Sequence, residues 1–347
     1  MLWLIIGNFI AVFAALIPFA KNAHWSIRFF DFPRVQFLTF GLVLIVINIL
    51  FFNTSIVGLI SFLALIFVTA YQLKKVMRYT KLRKVEVKKI KGETDMPSVK
   101  IMVSNVLTPN RSAQKLIDHV QRHQPDILLC VETDAWWEEQ LSVLEESYPT
   151  QVKIPQDNLY GMHLYSKLDF KSTEIRFLVE DEIPSIRTQF VLPSGDEILF
   201  YALHPKPPSP TENETSINRD AELLIVAKEI DQMTEPVIVC GDLNDVAWSK
   251  STELFKKISA LLDSRIGRGR FSTFHAKYPF LRWPLDHFFH SSHFMLRDMQ
   301  VLSSIDSDHF PIMIQLYYSS RAKKIHNPPE ADVEDEKEAH QKIDKAF

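Results

Sequence analysis

Cysteine is scarce in this 347-residue chain, and the motifs of two common enzyme classes are missing. Cys130 and Cys240 each follow an apolar run and are expected on buried strands. Two cysteines cannot form a disulfide framework, and they argue against a cysteine-bound zinc site. The sequence also has no glycine-rich phosphate loop and no GxSxG element. A nucleotide-triphosphate switch and a serine hydrolase therefore both fit the chain poorly.

Charge is almost absent from the first 73 residues. The charged side chains there are Lys21, Arg28, Asp31 and Arg34. Three apolar stretches, at 1–20, 35–52 and 56–73, approach the ~20 residues with which a helix crosses a bilayer. A cleaved signal peptide is an alternative for the first stretch, but it lacks a basic leader and two more stretches follow. We predict three transmembrane helices in residues 1–73.

Basic residues follow the first and third of these stretches. The loop at 53–55 carries none, whereas the others contain Lys21, Arg28 and Arg34, and Lys74, Lys75, Arg78, Lys81, Arg83, Lys84, Lys88, Lys89 and Lys91. Because cytoplasmic loops are enriched in Lys and Arg, we predict a multi-pass membrane protein whose C-terminal part is cytoplasmic. Residues 74–97 are predicted to be a basic juxtamembrane linker lying against anionic headgroups of the lipid bilayer.

Strands and helices alternate from residue 98 onward. Apolar runs predict strands at 99–103, 126–131, 198–203, 236–240, 285–290 and 310–316, and helical spacing predicts helices at 112–122 and 217–233. This mixture indicates a layered α/β domain, which we place at 98–318. The remaining residues, 319–347, contain two consecutive prolines and then dense charges of both signs. We predict that they form a mobile tail.

Polar side chains interrupt the apolar pattern where strands end. They are Asn105, Glu132, His204, Asp242, Asn244, Asp286, Asp308 and His309. Loops at strand ends are where a sheet displays functional groups. Hard divalent cations prefer carboxylate and amide oxygens, and a histidine paired with a carboxylate can deprotonate water near neutral pH. These residue types together indicate metal-assisted hydrolysis of a phosphoester.

The order of these residues resembles that of a known family. Asn105, Glu132 and His204 are followed by GDLND at 241–245, LDH at 285–287 and SDHFPI at 307–312. This set is similar to the endonuclease/exonuclease/phosphatase superfamily, which has the deoxyribonuclease I-like fold. GDLN replaces the commoner GDFN, a conservative apolar change. The resemblance covers roughly residues 98–318. It implies an α/β fold of four layers, a sandwich of two packed mixed sheets flanked by helices.

The resemblance also implies a metal site. Glu132 resembles the principal ligand of a Mg²⁺ or Mn²⁺ ion, with Asn105 and Asp308 beside it. Taken singly, Glu132 could be an ordinary surface carboxylate, and Asp308 could belong to a turn. The ordered set of motifs favours the role of metal ligands for all three.

The remaining residues of the set resemble a catalytic group. Asp242 and Asn244 resemble the pair that positions the nucleophilic water and the phosphate. His309 resembles the general base, Asp286 the carboxylate that orients it, and His204 the second histidine, which contacts the scissile phosphate. In isolation the first pair could merely cap a turn. The histidine before a proline could equally be structural.

Two arginines are weaker candidates for substrate binding. Arg219 lies on the helix predicted after the His204 loop, where it could reach a phosphate or form a surface ion pair. Arg282 belongs to a cluster of arginines around the aromatic stretch FSTFHAKYPFLRW, immediately before Asp286. That cluster could bind a nucleic-acid strand, a lipid headgroup or another phosphorylated ligand.

Acidic residues outnumber basic ones in the predicted hydrolase domain. Of 39 Lys and Arg and 42 Asp and Glu, residues 1–97 hold 12 and four, which leaves 27 basic and 38 acidic residues. A nuclease that grips a long duplex usually presents a basic surface. Three hypotheses stay open: a membrane-tethered phosphodiesterase or phosphatase acting on a lipid headgroup or small phosphoester, a membrane-held nuclease acting on DNA or RNA, and a non-catalytic protein that binds a phosphorylated ligand. No obligate protein partner is evident.

Overall fold

The computed structural model describes residues 2–51, 54–90, 92 and 94–347. The chain divides into two compact units. The N-terminal unit runs to Lys84 and includes the short segments Pro208–Ser216 and Gly267–Gly269. The rest of the chain forms a second unit, which we call the sandwich unit.

The N-terminal unit is built from apolar helices. In chain order they are α1 (Leu2–Leu16), α2 (Trp25–Arg28), α3 (Arg34–Leu50) and α4 (Ile56–Met77). Two helices of the described chain, Leu2–Phe19 and Ile56–Met77, are long and apolar enough to cross a membrane. A third candidate arises if α2 with the turn after it and α3, bent by 66°, form one span. The three predicted apolar stretches thus form helices, and their insertion in a bilayer stays a prediction.

Polar side chains of the N-terminal unit point inward, and large apolar ones point outward. Asn8 Nδ2 lies 3.2 Å from Asn48 Oδ1 and 3.1 Å from Ser61 Oγ, and Arg34 Nη2 donates to Asp31 Oδ1 at 2.6 Å. All five of these side chains are buried. In lipid, polar groups pair with one another inside a helix bundle while apolar side chains face the acyl chains. The exposed apolar side chains include Leu2, Phe13, Ile56 and Phe67.

The sandwich unit contains twelve strands and five helices among its described residues. The strands are β1 (Ser98–Asn105), β2 (Ile127–Val131), β3 (Thr150–Ile154), β4 (Met162–Ser166), β5 (Phe170–Arg176), β6 (Ser185–Val191), β7 (Glu197–Ala202), β8 (Val237–Asp242), β9 (Leu262–Asp263), β10 (Asp286–His290), β11 (Phe294–Val301) and β12 (Ile312–Tyr318). The helices are α5 (Ala113–His123), α6 (Ala135–Leu141), α7 (Ile217–Asp231), α8 (Lys250–Ser259) and α9 (Val333–Asp344). All six predicted strands and both predicted helices are confirmed, and Cys130 and Cys240 are buried and free on β2 and β8.

The strands form two six-stranded mixed sheets. Their orders are β11-β12-β1-β2-β4-β3 and β5-β6-β7-β8-β10-β9. The pairs β1–β2 and β7–β8 are parallel, and the other neighbours are antiparallel. Parallel neighbours require a crossover, which α5 supplies between β1 and β2 and α7 supplies between β7 and β8.

Apolar side chains fill the space between the two sheets and cover both outer faces. Because successive residues of a strand point to opposite faces, Ile101 and Leu129 join the core between the sheets, whereas Met102 and Leu128 pack with α5 and α6. Helices α7, α8 and α9 cover the outer face of the other sheet. The order helix, sheet, sheet, helix confirms the predicted four-layered sandwich.

The segment predicted to be a basic linker, 74–97, is only partly a linker. From Val85 onward the chain belongs to the sandwich unit. Val87 is buried in the core between the sheets, and the Ile90 amide donates to the Leu296 carbonyl of β11 at 2.9 Å. The prediction gave weight to the positive charges and overlooked the alternation of apolar and polar residues. That alternation lets one apolar side chain enter the core while its charged neighbours stay outside.

The segment predicted to be a mobile tail, 319–347, instead contains α9. Asp332 caps this helix in a capping box with Asp335, which satisfies backbone donors of the first turn. Ala339 is buried against α7, and Ile343, four residues later on the same face, packs beside it. Because charged residues dominate the composition of this segment, the prediction from composition missed its apolar stripe.

An ion pair between half-buried Lys342 and buried Asp220 fastens α9 to the sandwich. Lys342 Nζ lies 2.6 Å from Asp220 Oδ2 and 3.0 Å from Ser251 Oγ. We expect Lys342→Met to lower the free energy of unfolding by about 2 kcal/mol, because it leaves a buried carboxylate with less compensating charge. Lys345→Met is the matched control, since Lys345 is exposed one residue past the same helix, and it should change stability by less than about 0.5 kcal/mol. Chemical unfolding of the detergent-solubilised chain measures both.

The Lys342–Asp220 pair should make the stability loss in Lys342→Met depend on pH. Burial opposes ionisation of Asp220, but Lys342 and Arg219 outweigh burial and hold the pKa of its carboxyl below the usual 3.8. A carboxyl with a lowered folded-state pKa stabilises the fold above its unfolded pKa and loses that contribution as the pH falls. The difference between wild type and Lys342→Met should therefore be complete above about pH 4 and shrink in acid. Identical unfolding curves at neutral pH would contradict this role of Lys342.

Candidate active site

Four strands of the sandwich bring their polar ends together. Because β1 and β2 are parallel, Asn105 pairs with Val131 and lies beside the following residue, Glu132. Because β8 and β10 are antiparallel, Asp242 pairs directly with Asp286. A hydrogen bond from Asn105 Nδ2 to Asp242 Oδ2, 3.1 Å long, joins the ends of the two sheets. The sheet register therefore creates the cluster.

Asn105 links the two carboxylates at the centre of this cluster. Its Nδ2 also donates to Glu132 Oε1 at 2.6 Å, while its Oδ1 accepts from the Leu107 amide at 3.0 Å. Glu132 adopts a left-handed backbone conformation with φ 63°, and its carbonyl accepts from Thr108 Oγ1 at 2.8 Å. Such a conformation is costly for a residue other than glycine, and it persists where the surrounding structure holds it, often at functional sites.

His309 is held between two aspartates. Its Nδ1 lies 2.8 Å from Asp286 Oδ2, and its Nε2 lies 3.4 Å from Asp242 Oδ2. The His309 amide donates to Ser307 Oγ at 3.0 Å, and the Phe274 ring packs on the imidazole with centroids 4.9 Å apart. The ring is 4% exposed and cannot rotate freely. A carboxylate that fixes one ring nitrogen while the other faces the centre of the cluster is the arrangement of a general base.

His204 and Asn244 complete the cluster on the other side of Asp242. The Asn244 amide donates to Asp242 Oδ1, and its Nδ2 donates to the Pro205 carbonyl, both at 3.0 Å. His204 is buried beside the Tyr160 ring, with centroids 5.3 Å apart. Within the described chain, His204 Nδ1 is buried and makes no hydrogen bond. A nitrogen in this position is available to a ligand.

Asp308 lies at the edge of the cluster. Its Oδ1 accepts from Ser307 Oγ at 3.3 Å, and its carbonyl accepts from the Ala276 amide at 2.6 Å. The charge of Asp308 acts on both Glu132 and His309, raising the pKa of each. The structure therefore brings all eight predicted residues into a single cluster.

Burial dominates the electrostatics of the carboxylates. It raises the pKa of Glu132 to about 8, an effect that the Asn105 hydrogen bond opposes. Burial also raises the pKa of Asp242, against the opposite influence of His309. Carboxylates gathered in a buried site repel one another, and a cation beside them relieves that repulsion.

The pKa values of His309 and His204 are shifted in opposite directions. Burial alone would lower the pKa of His309, but Asp286 and Asp242 outweigh burial and raise it to about 10. Burial lowers the pKa of His204 to about 4, so this ring is neutral at physiological pH. A neutral imidazole still offers one N–H donor. The site therefore pairs a histidine that binds a proton strongly with one that stays neutral.

The donor atoms of the cluster suit a hard divalent cation. Glu132 Oε2 is buried and, among the described residues, has no hydrogen-bond partner. By distance, Asp242, Asp286 and His309 also form a group that could hold a metal ion. Asp286 Oδ2 is already bonded to His309 Nδ1, whereas Asp286 Oδ1, like Glu132 Oε2, has no hydrogen-bond partner among the described residues. Oxygen donors of this kind match Mg²⁺ and related ions.

Two arginines that contact the Asn244 loop and β10 are buried in ion pairs. Arg219 is buried, its Nη2 lies 2.8 Å from Asp220 Oδ1, and its Nη1 donates to the Asn244 carbonyl at 2.8 Å. The structure thus places Arg219 in a buried ion pair instead of a surface ion pair. Arg265 is likewise buried and pairs with Asp263. Charge in the sequence could not distinguish these arginines from exposed ones.

A loop bordering His309 was not anticipated from the sequence. The Phe310 amide donates to the Thr273 carbonyl at 3.0 Å, and the Arg282 guanidinium stacks over the Phe310 ring at 4.8 Å. Arg282 is half-buried there and donates to the Ala276 carbonyl at 3.1 Å. The aromatic stretch before Asp286 was the visible signal, but its contacts with His309 come only from the fold.

Comparison with known families decides what this cluster belongs to. A family model described as "Endonuclease/Exonuclease/phosphatase family" matches residues 102–309, more than half of the chain. The chain belongs to this family. Members are metal-dependent phosphoester hydrolases, so the chain is a metal-dependent hydrolase acting on ester bonds. No curated protein sequence matches it.

Solved structures agree with the family at the level of the fold. TDP2 from D. rerio, solved with a single-strand DNA product, superposes with a TM-score of 0.54 at 18% identity, over 63% of this chain and 98% of that one. The human Nocturnin catalytic domain, with a bound sulfate anion, superposes with a TM-score of 0.53 at 18% identity, over 69% of this chain and 98% of that one. A protein of the endonuclease/exonuclease/phosphatase family from Bacteroides thetaiotaomicron superposes with a TM-score of 0.51 at 20% identity, over 66% of this chain and 98% of that one. These likenesses confirm the deoxyribonuclease I-like fold.

Proposed function

We propose that the chain is a membrane-anchored phosphoester hydrolase in which His309, oriented by Asp286, activates the attacking water. The 2.8 Å contact between His309 Nδ1 and Asp286 Oδ2 carries this proposal, because it directs the other ring nitrogen toward Asp242 and the centre of the cluster. Water gives up a proton to Nε2, and the Asp286 carboxylate stabilises the imidazolium that forms.

The neighbouring side chains orient the water and the phosphate. The Asp242 carboxylate, 3.4 Å from the catalytic nitrogen, accepts a hydrogen bond from the same water. Neutral His204 donates a ring N–H to a phosphoryl oxygen. Asn244 is fixed by its hydrogen bonds to Asp242 and Pro205, so it can help to orient the phosphate without changing its own conformation.

Glu132, with Asn105 and Asp308 beside it, would hold the divalent cation, for which we propose Mg²⁺ with Mn²⁺ as a substitute. When bound, the cation would neutralise phosphate charge and the surrounding carboxylates, and its positive charge would oppose protonation of His309. The buried, unpartnered Glu132 Oε2 supports this assignment. Asp286 Oδ1 is unpartnered as well, but the other oxygen of that carboxylate is bonded to His309, which favours Asp286 as the orienting group.

The N-terminal unit would anchor the enzyme in a bilayer. Its buried polar contacts and exposed apolar faces support transmembrane helices, with two or three spans by length and composition. The last turn of α4 carries Lys74 and Lys75, and more basic residues follow. We propose that this end of α4 and the sandwich unit are cytoplasmic, since basic flanks favour that side.

We favour a lipid headgroup or a small phosphoester as substrate. The acidic balance of the hydrolase domain disfavours a duplex, and two arginines that could have formed a basic groove, Arg219 and Arg265, are buried in ion pairs. Arg282, half-buried over Phe310 beside His309, is the candidate contact for an anionic substrate group. A nuclease held at the membrane is the alternative, and it requires basic contacts elsewhere on the sandwich unit.

Metal dependence and substrate class can be tested with the full chain in nanodiscs. We expect hydrolysis of bis(p-nitrophenyl) phosphate with Mg²⁺ or Mn²⁺, and a loss of at least ~100-fold on adding EDTA that is reversed by excess metal. A panel of plasmid DNA, single-stranded RNA, sphingomyelin and phosphoinositides then separates the alternatives. Hydrolysis that survives EDTA would overturn the metal-dependent mechanism, and turnover of DNA or RNA alone would favour the nuclease.

A further inference from the structure

The loop beside His309 is an ordered hairpin. We call residues 274–283 the rim loop. The Phe274 amide donates to the Trp283 carbonyl at 3.1 Å, and the His275 amide donates to the Leu281 carbonyl at 2.9 Å. The Leu281 amide in turn donates to the Tyr278 carbonyl at 2.9 Å and closes the tip. These bonds give the loop a defined shape.

The base of the rim loop contacts the catalytic residues. The Phe274 ring packs on His309, and the Ala276 amide donates to the Asp308 carbonyl at 2.6 Å. Arg282, on the returning strand of the hairpin, stacks over Phe310. Whatever the tip binds is therefore held next to the catalytic histidine.

The tip of the rim loop exposes large apolar side chains. Phe280 is 88% exposed, Tyr278 57% and Leu281 46%, within four consecutive residues. Lys277 beside them is exposed as well. An exposed cluster of large apolar residues next to a site marks an interaction surface, because their exposure to water is unfavourable.

A bilayer is an available partner for this loop. Two helices of the described chain are long and apolar enough to cross a membrane, and the proposed function anchors the enzyme there.

We propose that the rim loop docks on the lipid bilayer and that the enzyme hydrolyses a phospholipid headgroup presented in the plane of that membrane. This inference rests on the proposed function and names its substrate class. Phe280 and Leu281 would enter the interface, Tyr278 would lie at the headgroup level, and Lys277 would face anionic headgroups. Apolar residues flanked by cations are the composition of interfacial membrane contacts.

A nucleic-acid strand fits the tip less well. Single-stranded nucleic acid is bound by aromatic rings interleaved with a basic track that follows the phosphates. The tip instead combines a leucine and a proline with two aromatic rings and a single exposed lysine, in a domain with excess acidic residues. Its composition therefore favours lipid.

A fluorescent label on the tip tests docking without depending on activity. Cys130 and Cys240 are buried, so a thiol-reactive environment-sensitive dye should label a Phe280→Cys variant selectively. The labelled full chain is placed in phosphatidylcholine–phosphatidylglycerol nanodiscs with and without doxyl-labelled lipid. The matched control is Val333→Cys, because Val333 is exposed and apolar but lies at the start of α9.

We expect doxyl lipid to quench the dye at position 280 by about twofold or more and to leave the dye at 333 nearly unchanged, because a docked tip places the dye within the interface. Equal emission with and without doxyl lipid at position 280 would overturn the docking. A dye that responds to single-stranded DNA in solution but not to doxyl lipid would overturn it in favour of the nucleic-acid alternative.

Turnover tests the substrate class separately. In Phe280→Ser/Leu281→Ser we expect the ratio of turnover on phospholipid in the bilayer to turnover on bis(p-nitrophenyl) phosphate to fall about tenfold, because docking serves only the membrane substrate. Val333→Ser should keep the wild-type ratio. An unchanged ratio in the rim-loop variant would contradict the proposal. If the wild type showed no metal-dependent turnover on any substrate, that result would instead contradict the proposed function, whatever the outcome of the quenching experiment.

Discussion

Replacing His309 with alanine is expected to lower kcat for phosphoester hydrolysis at least ~100-fold, with a much smaller change in KM. The buried imidazole is bonded to Asp286 on one side and lies 3.4 Å from Asp242 on the other, so its removal deletes the proton acceptor without opening the surface. Loss of a positioned general base costs about 10²–10⁴ in rate. Steady-state kinetics on bis(p-nitrophenyl) phosphate in the presence of Mg²⁺ measure this change.

His340 provides the matched control for that substitution. It is an exposed histidine on α9, so His340→Ala removes the same side chain far from the chemistry in sequence and outside the cluster. We expect kcat for this variant to stay within about twofold of wild type. If His309→Ala retained more than a tenth of the wild-type kcat while folding normally, His309 would not be the base.

Replacing Glu132 with glutamine is expected to have the second large effect. The substitution preserves the shape and the hydrogen-bonding capacity of the side chain but removes the charge of an oxygen that is buried and, within the described chain, unpartnered. A neutral amide is a weak ligand for a hard cation. We therefore expect activity at fixed Mg²⁺ to fall at least ~100-fold and to recover in part at much higher Mg²⁺.

The distinguishing measurement is the Mg²⁺ concentration that gives half-maximal activity. It should rise at least about tenfold in Glu132→Gln and stay unchanged in Glu139→Gln, an exposed glutamate on the nearby helix α6. A Glu132→Gln enzyme with wild-type Mg²⁺ dependence would remove Glu132 from the metal site. In that case the group formed by Asp242, Asp286 and His309 would become the leading candidate.

The clustering of the candidate site residues was predictable because each interrupts a strong apolar pattern. Asn105, Glu132 and Asp242 follow runs such as ILLCV and VIVCG, where a polar side chain inside or just past a buried strand needs a reason. Strand pairing then brings them together, as in the direct pairing of Asp242 with Asp286. Residue type and order were sufficient to predict the cluster, because metal-assisted hydrolysis requires side chains of these types.

Other parts of the fold left no such signal. The strand β5 lies at the edge of its sheet and exposes most of its side chains, so it lacks the apolar run that marks β2 or β8. Helix α9 has a single buried residue, Ala339, among many charges. Arg219 reads as a surface cation until the fold buries it against Asp220. For α9 and for Arg219, which also contacts Asp245 and the Asn244 carbonyl, the deciding contacts are with residues distant in sequence.

The division between the two units also explains why charge alone misplaced a boundary. Basic residues continue from the end of α4 to residue 91, but Val87 already lies in the core between the sheets. Lys256, which pairs with Glu86 at 2.8 Å, contributes to holding this segment on the sandwich unit. Charge density therefore marks what stays outside the core, and it does not mark where the fold begins.

A double-mutant cycle on His309 and Asp286 tests the central claim most directly. Wild type, His309→Ala, Asp286→Asn and the double variant are compared by kcat on bis(p-nitrophenyl) phosphate at saturating Mg²⁺. If Asp286 acts through His309, the double variant will be no slower than His309→Ala alone, because the orienting carboxylate has nothing left to orient. Reductions that multiply in the double variant would show that the two residues act independently, and would contradict water activation by a His309–Asp286 pair.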